Sequence, residues 1–282
     1  MAVLEPKPRS TIKHLSWSGI SEYRLCPRRF YFRKIVCIPE ESRSATLVFG
    51  GAIHKAVESV YEAKLEGRKA PNARALLAAY DSAWDAEADN GPEITYPKGE
   101  SQDTLRETAG KMLTALRKHA LKQQGQIVAI EHESLFVLVP GVVPLKARID
   151  LVEIEGDSLV LSDWKTSKSR WSDSKTVEAL PQLVIYAAAT ASLVREFDLK
   201  RIKPRFVVVT KARTTVIQVL EPQASQTDVV RVKELVSETA DAIQKGVFPR
   251  REGWPCNYCP FVKRCLGKGA AVHNGANRDQ QR

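Results

Sequence analysis

The sequence contains no apolar run near the roughly 20 residues that a helix needs to span a membrane. Its opening, MAVLEPKPRS, has prolines and charges where a signal peptide would carry its apolar region. The expectation is a soluble, cytoplasmic protein that does not engage a membrane. Only five cysteines occur in 282 residues. That is too few for a disulfide framework, and a reducing cytosol favours thiolate ligands over disulfides. No internal repeat is present, and no G-x-x-x-x-G-K-[ST] phosphate loop, which excludes a nucleotide-driven motor of that type.

The chain is 43% hydrophobic and 27% charged, a balance that suits one large α/β domain, or such a domain with a helical insertion. Lys and Arg number 43 against 33 Asp and Glu, a net charge of +10, which fits a polyanionic partner. After a polar arm, LSWSGISEYRLCPRRFYFRKI reads as a helix with Ser18 as N-cap, kinked or restarted at Pro27. LVFGGAIHKAVESVYEAKLEG, ended by Gly67, is a second helix, and NARALLAAYDSAWDAEA a third. ESQDTLRETAGKMLTALRKHALKQQG continues the helical block after the loop NGPEITYPKGE. From Ile127 the period changes: IVAIEHESLFVLVP, VPLKARIDLVEI, SLVLSDWKTS and RFVVVTKARTTVIQVL have the β-branched, alternating character of strands. EALPQLVIYAAATASLVREF and SQTDVVRVKELVSETADAIQKG are helices, and the closing LGKGAAVHNGANRDQQR has the composition of a disordered tail.

In KARIDLVEIEGDSLVLSDWKTSK, a Gly-first loop at Gly156-Asp157 signals a type II′ hairpin. If these two residues are the loop, Glu155 pairs with Ser158 and Asp150 lies opposite Asp163; Lys165, two residues on, joins them on the same face. Adjacent carboxylates repel unless a cation neutralises them, and hard oxygen ligands favour Mg²⁺ or Mn²⁺. Such an ion can polarise a phosphodiester oxygen and acidify its water, with the lysine orienting that water or countering charge on phosphorus. The bland alternative is a surface hairpin with an ordinary Asp-Lys pair, and a bare D-x-K favours it. Further residues shift the balance. Gln182 and Tyr186 lie four apart, on one helical face, one connection after the D-x-K strand. His54 stands early in a helix, after what reads as a Gly-Gly turn.

Together, G-x-x-H at Gly51 to His54, the aspartate of ARIDLVEI, the D-x-K of SDWKTSK and the Q-x-x-x-Y of QLVIY resemble the RecB-like branch of the PD-(D/E)XK nuclease superfamily, in the family's order. The resemblance implies a mixed sheet flanked by helices. It also implies that His54, Asp150, Asp163 and the backbone carbonyl of Trp164 bind the metal, that Lys165 is the catalytic lysine, and that Gln182 and Tyr186 steady the lysine, the water or the DNA strand. Iron-sulfur members of this branch, including AddB-type and CRISPR-adaptation nucleases, carry one cysteine before the nuclease motifs and a C-x2-C-x5-C-like group after them. Cys26 with Cys256, Cys259 and Cys265 is similar to that layout. Four thiolates alone suit either Zn²⁺ or a 4Fe-4S cluster; the resemblance favours the cluster, as a staple between the first helix and the C-terminal segment. Cys37 is left over and reads as a small buried residue.

Arg28, Arg29, Arg33 and Lys34 can hold phosphates, and Tyr31 or Phe32 is either core or a stacking platform for an unpaired base. The expected organisation is a single nuclease domain over 1–267, with a helical insertion at about 62–126 and a disordered tail at 268–282. The expected activity is Mg²⁺- or Mn²⁺-dependent hydrolysis of DNA, as an exonuclease on single strands or frayed ends. Recombination and repair, phage DNA processing and CRISPR adaptation are the competing settings, with a helicase, recombination or CRISPR-adaptation protein as partner. A competing class is a non-catalytic iron-sulfur DNA-binding or assembly subunit, against which the intact carboxylates argue.

Overall fold

The computed structural model describes residues 12–267; the tail expected at 268–282 lies outside the described residues. Ser16, not Ser18, caps the first helix: its hydroxyl accepts from the Gly19 N–H, and Ser18 hydrogen-bonds Ser16 instead. This helix, α1 (Trp17–Leu25), stops at Cys26, whose backbone is extended because Pro27 disfavours helical geometry in the residue before it. The chain restarts at once as α2 (Pro27–Phe30), with proline in the first position where its missing N–H costs nothing, and continues into a π-helical turn, Tyr31–Ile35.

A short strand, β1 (Ser42–Ser44), leads into α3 (Ala45–Leu65), and Gly67 leaves it at φ 66°. Two further helices follow, α4 (Ala73–Asn90), capped by Asn72, and α5 (Gln102–Lys122), opened by a Ser101–Thr104 capping box. The loop between them contains a strand that the Pro and Gly content concealed: β2 (Glu93–Thr95), parallel to β1.

The main sheet comprises β3 (Gln126–Phe136), β4 (Leu145–Glu155), β5 (Ser158–Ser167), β6 (Arg201–Thr210) and β7 (Ile217–Leu220), in that spatial order. All neighbours are antiparallel except β5 and β6, joined by a crossover through α6 (Asp173–Ala189) and α7 (Ala191–Glu196). The β4–β5 hairpin turns at Gly156, φ 61°, with Asp157 outside the left-handed region, and Glu155 faces Ser158 as the type II′ reading requires.

Two cores sandwich this sheet. One, between the sheet and α1, α2, α6 and α8 (Gln226–Gln244), includes Ile20, Phe30, Leu159, Leu161, Tyr186 and Val236; the other, under α3, α4 and α5, includes Phe49, Trp84, Met112, Leu151, Trp164 and Val207. Burial on both faces explains why Leu159, Val160 and Leu161 follow one another in β5 without alternation. Helices α3, α4 and α5 therefore close the sheet face that carries Trp164. A buried ion pair pins the sheet's middle: Arg205 on β6 reaches Glu153 on β4 at 3.0 Å and donates to the Ser162 hydroxyl at 2.8 Å. The C-terminal segment, a 3-10 turn at Trp254–Tyr258 and α9 (Val262–Leu266), returns to the N-terminal helices.

Candidate active site

β5 positions the chemistry by alternation. The Trp164 indole is buried under α3, stacked on Tyr61 at 5.2 Å between ring centroids, and this anchor fixes the backbone between Asp163 and Lys165. The Lys165 ammonium lies 2.6 Å from Asp163 Oδ2. The other carboxylate oxygen, Asp163 Oδ1, accepts from Gln182 Nε2 at 3.0 Å and from the Tyr186 hydroxyl at 3.0 Å, and Gln182 also donates to Tyr186 at 2.7 Å. One helical turn of α6 thus delivers both donors to one oxygen, as the four-residue spacing implied.

The hairpin register holds up to Leu151 opposite Ser162. Beyond that pair the strands part, and Asp150 Oδ2 accepts the Trp164 backbone N–H at 2.6 Å. Asp150 Oδ1 lies 3.5 Å from His54 Nδ1. His54 does not follow a Gly-Gly turn: Gly50 and Gly51 are inside α3, and the histidine sits a turn further along the same helix. Its ring packs edge-on against Trp164.

Electrostatics separates the two aspartates. Burial pushes Asp163 up, and the neighbouring Asp150 charge adds to it, against Lys165. Burial also works to raise Asp150, but His54, the Trp164 N–H and Lys165 outweigh it and hold Asp150 below the usual range. For His54 burial favours the neutral ring, yet the Asp150 carboxylate prevails and the pKa is raised. Burial, then the Asp163 charge, raises Tyr186, so its hydroxyl stays protonated and donates. Two buried carboxylates of divergent proton affinity beside a lysine form an arrangement typical of a reaction centre. Asp163 Oδ2 is buried against the Lys165 ammonium alone of the site's donors, and an oxygen held by a cationic group suits a metal cation as well.

Glu131 on β3 was missed by the sequence reading. His54, Glu131 and Asp150 each place a ligand atom within 4.8 Å of the other two. The alternation of β3 gave Glu131 no mark to distinguish it from the solvent-facing Glu133. The site opens on a groove of about 1250 Å³, whose walls include Arg33, Arg43, Lys55, Arg148 and Lys165.

The N-terminal basic residues fall differently from the simple phosphate-clamp picture. Arg29 pairs with Glu22, and Arg33 with Glu22 and Glu40; Arg28 lies over the Tyr31 ring, and Lys34 is exposed. Tyr31 and Phe32 are core residues, 6% and 7% exposed, and cannot stack on a base. Cys26, Cys256, Cys259 and Cys265 surround one small gap of about 20 Å³, bordered by Arg28, Arg29, Arg250 and Arg251. Cys37 lies apart from them and is exposed rather than buried, with a left-handed backbone at φ 55°.

Comparison with known proteins agrees with this geometry. The solved structure named "Putative exonuclease" from Eubacterium rectale superposes over 89% of this chain and 88% of its own with a TM-score of 0.56 at 11% identity, a likeness of fold. A second, SSO0001, covers 88% of this chain and 92% of its own at 18% identity, with a TM-score of only 0.36. No curated protein matches the sequence. The sequence profile of the PD-(D/E)XK nuclease superfamily matches residues 14–266, and the chain belongs to that superfamily.

Proposed function

We propose that this chain is a metal-dependent deoxyribonuclease that works as an exonuclease on single strands or frayed ends. The observation that carries the reading is the held Asp163: Lys165 on one oxygen, Gln182 and Tyr186 on the other, with Asp150 and His54 alongside. A structural aspartate needs no such arrangement. The residues fit Mg²⁺ or Mn²⁺, with Asp150, Asp163, His54 and the Trp164 carbonyl as the implied ligands. When bound, the ion would polarise a phosphoryl oxygen and lower the pKa of a water.

The chain's own groups supply the rest. Lys165 Nζ, held beside Asp163 Oδ2 at 2.6 Å, is placed to hydrogen-bond the attacking water or the oxygen that gains charge on phosphorus. Gln182 and Tyr186 keep the carboxylate from rotating, so its second oxygen faces the reacting phosphate. Groove cations Arg43, Lys55 and Arg148 attract the backbone of a strand, and the flanking glutamates keep the attraction moderate. Asp163→Ala and Lys165→Ala should each abolish cleavage of labelled single-stranded DNA in Mn²⁺ while DNA binding persists; undiminished cleavage by both refutes the assignment.

We also propose that Cys26, Cys256, Cys259 and Cys265 hold a 4Fe-4S cluster, with Zn²⁺ as the competing occupant. The four cysteines line one gap bordered by arginines, and the layout of one cysteine before the nuclease motifs and three after them supports the cluster. A helicase, recombination or CRISPR-adaptation protein would supply the unwinding for which the chain lacks a phosphate loop.

A further inference from the structure

The β3–β4 ladder has a gap at the site. Ile130 pairs with Leu151 and His132 with Ile149, but Glu131 and Asp150, which should face each other between them, do not pair. At the same point both strands change face. Leu145, Ala147 and Ile149 pack into the core against α6, whereas Leu151 packs into the core under α3. On β3, Phe136 joins the first core and Ile130 the second. A regular strand keeps residues an even number apart on one side, so the backbone inverts here. Glu131 makes that inversion, at φ 51°, a left-handed conformation that costs about 1 kcal/mol or more outside glycine.

Glycine or asparagine would adopt this backbone with less strain, yet a glutamate occupies it. Its carboxylate reaches Asp150 and His54, and Arg148 pairs with it from the groove side at 3.0 Å. Close by, the buried Asp163 Oδ2 faces the Lys165 ammonium at 2.6 Å, so the neighbouring carboxylate already holds positive charge. We propose that Glu131 is a divalent-cation ligand, completing with His54 and Asp150 a three-residue set on the β3 side of the reaction centre, distinct in composition from the His54, Asp150, Asp163 and Trp164 set that the family resemblance implies. One imidazole and two carboxylates suit Mn²⁺ better than Ca²⁺, which favours an all-oxygen shell.

The inference rests on the nuclease reading, and the experiment separates the two. Mn²⁺ is titrated into the full-length protein without DNA, and the free ion is followed by its electron paramagnetic resonance signal. Glu131→Gln should weaken Mn²⁺ binding at least tenfold, as loss of a metal-site carboxylate does. Glu133→Gln, two residues along the same groove wall and paired with Lys146 at 2.9 Å, should leave it unchanged. Glu131→Gly should lose Mn²⁺ binding equally while folding at least as well, because glycine accepts the left-handed backbone; this variant keeps the test valid if the glutamine protein folds poorly. Mn²⁺ affinity within twofold of the unaltered protein in the glycine variant, with binding still lost in His54→Ala, would overturn the role of Glu131 and leave the nuclease reading standing. If the unaltered protein binds no Mn²⁺, the metal-dependent reading falls and this one with it.

Discussion

Tyr186→Phe is a clean perturbation of the reaction centre because it removes one oxygen and leaves the ring in place. The hydroxyl donates to Asp163 Oδ1 at 3.0 Å and accepts from Gln182 at 2.7 Å. Tyr186 is only 5% exposed, so water cannot readily replace it. A hydrogen bond to a buried charged group contributes about 1.5–3 kcal/mol. Gln182 still donates to the same oxygen and, being half-buried, can find water for its other N–H. The net loss should therefore be near the middle of that range, about 2 kcal/mol, or a Tm lower by roughly 4–8 °C for a domain of this size.

The same variant should lower kcat by about 10–100-fold, the usual effect of removing a group that orients a metal-binding side chain, with little change in DNA affinity. Thermal unfolding in EDTA gives the first quantity and single-turnover cleavage in Mn²⁺ the second. Because Gln182 and Tyr186 share one acceptor, Gln182→Leu combined with Tyr186→Phe should cost more than the sum of the two. A stability change under about 0.5 kcal/mol with unaltered kcat would refute the idea that these donors hold Asp163.

Other outcomes follow from the rest of the fold. Arg205→Leu strands the fully buried Glu153 carboxylate and should cost about 3–5 kcal/mol in urea unfolding, with much recovered in the Arg205→Leu/Glu153→Leu pair; an equally unstable double variant would count against the ion-pair explanation. His54 has its pKa raised above the ordinary 6.5 by Asp150, so the metal-free protein gains stability from the charged pair at low pH and loses it as pH rises through the folded-state pKa. His54→Gln should flatten that dependence, and a pH profile that survives the substitution excludes His54 as its source. Cys26→Ser should remove iron from anaerobically purified protein, whereas Cys37→Ser should not. Detachment of the C-terminal segment should be partial, since Phe248 and Phe261 also pack on Tyr31 and Phe32; stoichiometric zinc without iron would refute the cluster and leave the nuclease reading untouched.

Most of the framework was legible because local chemistry and tertiary structure agree. The β4–β5 hairpin follows from Gly156, whose positive φ sets a two-residue loop and hence the register down to Leu151 and Ser162. The spacing of Gln182 and Tyr186 placed both on one face of α6. Elsewhere competing effects won. Ser16 outdid Ser18 because the helix begins two residues earlier, at Trp17. Gly50 and Gly51 read as a turn, yet their cost in a helix interior, roughly 1 kcal/mol each, is small beside the burial of Phe49, Ala52 and Ile53 on the same helix. β2 was hidden because its partner, β1, is itself three residues long and distant in sequence.

The least legible part is where the carboxylates of the candidate site converge. Alternation assigns each strand residue to a face only while the backbone keeps its pleat, and the pleat fails at Glu131 and Asp150. Counting outward from the hairpin therefore reached Asp150 correctly in sequence but not in space: its carboxylate takes the Trp164 N–H and faces His54, while Asp163 turns to α6. A regular ladder would have held both aspartates side by side on one face, where their repulsion has no relief. The inversion gives each carboxylate its own partners: His54 and the Trp164 N–H for Asp150, and Lys165, Gln182 and Tyr186 for Asp163. The strained residue that makes this separation carries a carboxylate of its own, so the backbone irregularity and the cation-binding capacity of the site have the same origin.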